Sequence, residues 1–174
     1  MAVQPQGLIR IIPNFPSPGI IFKDITPLLA NKDVFAQCCE EIALLAKDCD
    51  YIAGIEARGF IFAAAAAVIA DKGFIPIRKL GKLPGETISK SYELEYATAT
   101  LEIHANLIPE GKKVMVVDDV LATGGTALAA VELILAAKLQ PAGVLCLLEI
   151  PGLGGKSRIN KVHPALQIQI ILAE

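Results

Sequence analysis

The 174-residue chain is 53% hydrophobic yet only 5% aromatic, has no tryptophan and carries a formal net charge of −2. That length suits one domain, residues 1–174, around an aliphatic core, and the near-neutral charge gives no basis for non-specific nucleic-acid binding. The longest apolar run, residues 59–70, is too short to cross a bilayer, the first residues lack the basic-then-apolar pattern of a secretory signal, and Cys38, Cys39, Cys49 and Cys146 lack metal spacing. Together these predict a cytoplasmic protein with reduced thiols and no membrane partner.

Residues 1–30 are rich in Pro and Gly, with Pro13, Pro16, Pro18, Gly19 and Pro27 close together. Prolines at that density exclude a long helix or a central strand. Phe15, Ile20, Ile21, Phe22 and Ile25 nevertheless make the segment too apolar to float free, so it is expected to fold over the domain as a hood. An amphipathic helix is predicted over 31–47, with Phe35, Cys38, Ile42 and Leu45 on one face and Glu40, Glu41 and Lys47 on the other. A strand over 51–55 leads into a buried Ala-rich helix over 58–71, ended by Gly73, and a strand over 74–79 follows. Residues 81–96 are polar and without clear period. Inside a compact domain such a segment reads as a functional lid, expected to be flexible. A strand is predicted over 98–104, a turn at Pro109-Glu110-Gly111, a helix over 126–139, a strand over 143–149 and a last strand over 167–172. The alternation of strands and helices from Tyr51 onward predicts the α/β class: a central, mainly parallel sheet flanked by helices on both faces.

The run Lys113-Val114-Met115-Val116-Val117-Asp118-Asp119-Val120-Leu121-Ala122-Thr123-Gly124-Gly125-Thr126 is the most informative stretch. Four apolar residues make a buried strand, and two carboxylates stand where it is expected to end. A small-residue loop then feeds a helix. Ligands of open α/β sheets bind outside the carboxyl ends of the strands. A Gly-rich loop at a helix N-terminus offers backbone N–H groups and a positive dipole end to a phosphate, and Thr123 and Thr126 add hydroxyl donors. Asp118 and Asp119 suit a cation or ribose hydroxyls, so one loop offers both halves of a sugar-phosphate site. It is neither a Walker A loop nor a dinucleotide fingerprint.

Glu56-Ala57-Arg58-Gly59-Phe60 opens a helix at the same sheet edge. An Arg at a helix N-terminus is disfavoured by the dipole and makes sense facing an anion such as diphosphate; the alternative is an ion pair with Glu56. Arg78, Lys79 and Lys82 put three cations at a strand end entering the lid. Within the lid, Tyr92-Glu93-Leu94-Glu95-Tyr96 reads as solvated by residue type alone. His104 and His163 read as structural or surface residues.

These stretches, together with Phe15-Pro16-x-Pro18-Gly19-x-x-Phe22-x-Asp24-Ile25-x-Pro27, stand in the order found in the adenine phosphoribosyltransferases, type I phosphoribosyltransferases that the chain resembles from Ile9 to Lys161. The resemblance implies a type I phosphoribosyltransferase-like fold with an N-terminal hood and a flexible lid loop. It also implies transfer of the 5-phosphoribosyl group of phosphoribosyl-pyrophosphate (PRPP) to N9 of adenine, giving AMP and diphosphate with Mg2+, in a homodimer. By position, Ala122, Thr123, Gly124, Gly125 and Thr126 would hold the 5′-phosphate, and Asp118 and Asp119 the ribose 2′- and 3′-hydroxyls. Arg58, Lys79 and Lys82 would meet the diphosphate. Ile21, Phe22 and Lys23 would contact adenine, with backbone groups reading its edge and Phe22 stacking on its face. Glu95 and Tyr96 would arrive when the lid closes. No protein metal ligand is implied, Mg2+ being bound mainly through PRPP and diphosphate. Lys23 stands where an Arg is common, and Leu80 where a charged residue is common, which shifts diphosphate binding toward Lys79 and Lys82. Enzymes of the hypoxanthine-guanine type carry an Asp at the place of Ala122, where it meets N7 of the base. With Ala122 here, Glu95 is the expected proton donor, and Glu95, Asp118, Asp119 and Arg58 are the catalytic candidates. A PRPP-sensing regulator on the same fold is the non-enzymatic alternative; it usually appends a DNA-binding segment, and no basic or helix-turn-helix region is left over.

Overall fold

Along the central strand Val114 and Val116 face one side of the sheet and Met115 and Val117 the other, and all four are buried. Both faces of that strand are therefore apolar and both need covering, which requires helices on each side. The computed structural model describes residues 7–93 and 98–172. In chain order they form β1 (Arg10–Pro13), β2 (Ile21–Asp24), α1 (Thr26–Ala30), α2 (Lys32–Leu45), β3 (Tyr51–Ile55), α3 (Arg58–Ile69), β4 (Gly73–Lys79), β5 (Thr87–Glu93), β6 (Thr98–His104), β7 (Lys113–Leu121), α4 (Gly125–Ala136), β8 (Gln140–Glu149), α5 (Gly155–Val162) and β9 (Gln167–Ile170). A seven-stranded sheet runs in the order β5-β6-β4-β3-β7-β8-β9. Strands β4, β3, β7, β8 and β9 are parallel, and β6 and β5 are added antiparallel at one edge.

One core layer joins Cys38, Cys39 and Ile42 of α2 and Phe62 of α3 to Ile52, Met115, Val117 and Leu145. The other joins Ala130, Leu133 and Ile134 of α4 and Ile159 of α5 to Ile55, Ile75, Ile77, Val116 and Val144. The four cysteines are free and buried, and burial pushes the Cys38 and Cys39 thiols up to about 11 and about 12. No helix among the described residues is long and apolar enough to cross a membrane.

The Pro-rich segment forms a separate two-stranded antiparallel ribbon, β1 on β2, with Arg10 opposite Asp24. Asp24 anchors its end. The carboxylate accepts from Thr26 Oγ1 at 2.6 Å, the Thr26 N–H at 2.9 Å and Arg10 Nε at 2.9 Å. These donors hold its carboxyl down at about 2, the Thr26 hydroxyl first and Arg10 after it. Pro27 sits in the first turn of α1, where its missing N–H costs nothing.

Several element ends differ from the sequence expectation, each for a local reason. Asn31 is the N-cap of α2, its Oδ1 accepting from Val34 N at 3.1 Å, so that helix starts one residue later. The left-handed residue after α3 is Asp71 (φ 54°), not Gly73. Gly73 instead opens β4 at a position where a Cβ would sit 2.6 Å from the Tyr51 ring. Strand β7 does not end at the acidic pair but runs on to Leu121, paired with β8 as far as Glu149. The lid segment contains an edge strand, β5, that its sequence hides. Ile88 and Tyr92 pack toward α4, but the residue between them on that face, Lys90, is charged and bridges to Glu132 of α4 at 2.7 Å.

Candidate active site

The carboxyl ends of β3, β7 and β8 meet the hood at one edge of the sheet. After β3, Glu56 and Ala57, joined by a cis peptide bond, turn the chain into α3, whose first residue is Arg58. The helix can approach β7 because its second residue is glycine: a Cβ on Gly59 would lie 2.8 Å from the Val117 carbonyl oxygen and 3.0 Å from Asp118 Oδ1. Arg58 then reaches three partners. Its Nε lies 2.8 Å from Asp119 Oδ2, its Nη1 donates to the Lys23 carbonyl at 3.1 Å, and its guanidinium sits 4.7 Å from the centre of the Phe22 ring. The unfavourable helix dipole at Arg58 is thus offset by a carboxylate and an aromatic face. Phe15 packs edge-on against Phe22 at 5.1 Å, and Lys23 Nζ donates to the Glu149 carbonyl, at the end of β8, at 3.2 Å. These contacts hold the hood over the strand ends.

Asp118 and Asp119 lie inside β7, and Asp119 is only 5% exposed. Asp118 Oδ1 accepts the Asp119 N–H at 2.9 Å. Loss of water pushes both carboxyls above their usual range; the charge of Asp119 pushes Asp118 further up, while Arg58 works against the rise at Asp119. The Arg58 contact with Asp119 is an ion pair and not an aligned hydrogen bond, so the buried Asp119 Oδ2 lacks a hydrogen-bond donor among the described residues.

Ala122 and Thr123 follow β7 and are half-buried. Gly124 is the N-cap of α4 in the left-handed region (φ +80°), and a Cβ there would also lie 2.6 Å from the Gly155 carbonyl oxygen, so only glycine fits. The first N–H groups of a helix have no partner within it, and among the described residues no side chain caps α4. Gly125 and Thr126 open that helix. A Cβ on Gly125 would lie 3.1 Å from the Glu93 carbonyl oxygen, which brings the end of β5 against the loop.

At the end of β4, Lys79 and Lys82 are exposed, but Arg78 does not stand with them. Its Nε and Nη2 each donate to Glu56 at 3.2 Å, and its Nη1 donates to the Lys82 carbonyl at 2.9 Å. Glu56, held low first by this hydrogen bond, is thus the partner of Arg78, and the alternative pairing of Arg58 with Glu56 is ruled out. Ile21, Phe22 and Lys23 lie on β2, which pairs only with β1 among the described residues. Glu95 and Tyr96 lie outside the described residues. His104 Nε2 is 3.0 Å from the Pro84 carbonyl, a structural contact. Sequence reasoning passed over Glu102, which is 3% exposed and takes backbone N–H groups of the Lys82 loop; an acidic residue at an alternating position of an apolar strand was the available signal.

The phosphoribosyl transferase domain model matches residues 24–169. Over 157 residues the chain is 51% identical to the adenine phosphoribosyltransferase of Thermobifida fusca (strain YX), covering 89% of each protein. The chain belongs to the adenine phosphoribosyltransferase family. It is also 49% identical over 166 residues to the enzyme of Streptomyces clavuligerus, covering 94% of this chain and 93% of that one. Among solved structures, the adenine phosphoribosyltransferase of Thermoanaerobacter pseudethanolicus ATCC 33223 superposes with a TM-score of 0.89 at 41% identity, covering 96% of each chain. The Saccharomyces cerevisiae enzyme, complexed with D-2,5-dideoxy-2,5-imino-altritol 1,6-bisphosphate and adenine, does so with a TM-score of 0.88 at 36% identity, again covering 96% of each chain. The fold is that of the type I phosphoribosyltransferases, a central mostly parallel sheet flanked by helices, as the sequence predicted.

Proposed function

We infer that the edge formed by the hood, the acidic pair and the 122–126 loop is the active site at which this family member transfers the 5-phosphoribosyl group of PRPP to N9 of adenine, giving AMP and diphosphate. The observation that carries the reading is one juxtaposition. Half-buried Asp118 and buried Asp119 stand six and five residues before Gly124, the start of a helix that no side chain among the described residues caps, under a hood bonded to Arg58. The N–H groups of 123–126 and the Thr123 and Thr126 hydroxyls suit a 5′-phosphate, and Ala122 lines its approach. Ribose hydroxyls would donate to Asp118 and Asp119, satisfying the bare Asp119 Oδ2 and favouring the charged form of both carboxyls. In doing so they compete with Arg58 for Asp119, which releases the guanidinium toward the diphosphate. Arg58, Lys79 and Lys82 then stabilise charge that develops on the leaving diphosphate, while the acidic pair faces a cationic ribose in the transition state. The backbone of β2 at Ile21, Phe22 and Lys23 would read adenine, with the Phe22 ring against its face. N9 attack leaves the base with a proton to lose, so Glu95 would take that proton from N7 rather than donate one as the sequence suggested, and Glu95 and Tyr96 would close the lid and exclude water that hydrolyses PRPP.

Among the described residues no group of three His, Cys, Asp or Glu side chains fits a metal ion. A two-carboxylate set with substrate phosphates is, however, the kind of shell Mg2+ accepts. Mg2+ would be held mainly by PRPP and diphosphate oxygens, with Asp118 and Asp119 as the carboxylates at this edge, and when bound it neutralises diphosphate charge. Exposed Ile61, Val68 and Ile69 on one side of α3 suit a homodimer, and four buried free thiols suit the cytoplasm. The test is turnover of PRPP with adenine, hypoxanthine and guanine in parallel. AMP and diphosphate in equal amounts with adenine, and far slower reaction with the oxopurines, is the expected result; no AMP from adenine would overturn the reading.

A further inference from the structure

We infer that Glu102 is a positioning residue for diphosphate binding, fixing the Lys82 peptide from beneath while Arg78, tied to Glu56, fixes it from the other side. The inference rests on the reading that Lys79 and Lys82 meet diphosphate. Its cause is topological. In the order β5-β6-β4, the strands β4 and β5 are not neighbours, so the connection between them, residues 80–86, must pass across β6. Leu101 and Ile103 of β6 point into the α4 core layer; Glu102 points the opposite way, beneath that connection. The crossing backbone would bury unpaired N–H groups against the sheet. Glu102 Oε1 accepts two of them, from Lys82 and from Leu83, both at 2.9 Å, and Oε2 faces the Thr87 hydroxyl at 3.5 Å.

The same peptide is gripped on its other side. The Lys82 carbonyl accepts from Arg78 Nη1 at 2.9 Å, and Arg78 makes a two-bond contact with Glu56, which also accepts the Lys79 N–H at 3.0 Å. Glu56 lies two residues before Arg58. One chain of charge-assisted bonds thus runs from the turn carrying Arg58, through Arg78, to the loop carrying Lys82, and Glu102 closes it from the sheet. Burial opposes the charge on Glu102, but the Leu83, Lys82 and Gly81 backbone donors outweigh it and hold the carboxyl below its ordinary value. It is therefore an anion throughout the working range. Lys79 and Lys82 are themselves exposed, with mobile side chains, so the place of their charges is set by the backbone that Glu102 and Arg78 hold.

The test is steady-state kinetics of the full chain, varying PRPP and adenine separately, for Lys82→Ala, Glu102→Gln and Glu102→Ala, with melting temperatures for each. Glu102→Ala is expected to raise the PRPP KM about thirtyfold and Glu102→Gln about fivefold, because the amide oxygen still accepts but without charge assistance. The adenine KM should stay within about twofold, since Glu102 bonds the Lys82 loop and Thr87. A purely structural role would lower the melting temperature and the active fraction without moving the PRPP KM. A wild-type PRPP KM in folded Glu102→Ala, or in Glu102→Gln should the Ala variant not fold, overturns the inference while a raised value in Lys82→Ala preserves the reading beneath it. An unchanged PRPP KM in Lys82→Ala overturns that reading.

Discussion

Replacing Gly59 with alanine tests how the site is assembled, because the sign of the stability change decides the matter. At the second position of a helix, alanine is ordinarily favoured over glycine by up to about 1 kcal/mol. Here the added Cβ would stand 2.8 Å from the Val117 carbonyl oxygen, 3.0 Å from Asp118 Oδ1 and 3.1 Å from Asp118 Cα. Two of those atoms belong to the backbone of β7, which is fixed by β3 on one side and β8 on the other, so α3 must yield. Restoring ordinary contact needs a displacement of about 0.6 Å. Moving Arg58 by that much would lengthen its 2.8 Å contact with Asp119 to about 3.4 Å and stretch its 3.1 Å bond to the Lys23 carbonyl to about 3.7 Å, beyond hydrogen-bond range. Overpacking of this kind costs about 1–3 kcal/mol, which in a domain of this size lowers the melting temperature by about 3–10 °C. Since a 1 Å misplacement costs about a hundredfold in rate, a loss of about tenfold in kcat/KM is expected. Calorimetry and steady-state kinetics on Gly59→Ala check both. A melting temperature equal to or above the wild type's, with unchanged kcat/KM, would refute the reasoning.

Half-buried Asp118 stands beside buried Asp119, and holding two neighbouring carboxylates there costs the fold, so Asp118→Asn should cut kcat/KM by about a hundredfold or more while leaving the melting temperature at pH 7 unchanged or higher. The raised Asp118 carboxyl contributes stability only below the ordinary carboxylate range and loses it as pH rises through the folded value, so melting against pH should be flatter in the variant; a large loss of stability at neutral pH would contradict this. Asp24 has the opposite sign: its carboxyl, lowered from 3.8 to about 2, stabilises the hood above the unfolded value and ceases to do so as pH falls toward 2. Asp24→Asn should remove that part of the acid transition, as followed by hydrogen exchange at β1 and β2. In calorimetry with AMP, Thr126→Ala should weaken binding a few-fold and Gly125→Val by about a hundredfold, since a β-branched side chain both blocks the phosphate and strikes the Glu93 carbonyl; equal affinities would remove the loop from the site. Glu95→Ala should lower kcat by about 10²-fold or more with little change in PRPP affinity, Glu95→Gln doing the same if the proton matters and retaining most of the rate if only position does.

Much of this architecture was legible because its cues are local. Apolar Val114 to Val117, the glycines before α4 and the alternation after Tyr51 each mark an element by its own residues, and β3 and β6 fall where the sequence places them. The acidic pair and the small-residue loop before α4 stand out for the same reason. What stayed hidden depends on partners far away in sequence. β5 is obscured because exposed Lys90 stands between Ile88 and Tyr92 on the face toward α4, where it pairs with Glu132. Gly73 reads as a helix stop, but its use is to admit the Tyr51 ring. Arg78 reads as one of three ligand-facing cations, whereas Glu56, brought alongside by the pairing of β3 with β4, takes its guanidinium. The burial of Glu102 follows from the sheet order, which no local pattern records.

The most direct test of the account is the position of AMP in a structure of the complex. The phosphate is expected on the N–H groups of 123–126 at the start of α4, the ribose hydroxyls on Asp118 and Asp119, and the adenine against Phe22 with its edge on the backbone of 21–23, Arg58 having left Asp119. AMP bound away from the 122–126 loop, or bound there with Arg58 still on Asp119 and no hydroxyl contact to the acidic pair, would contradict it.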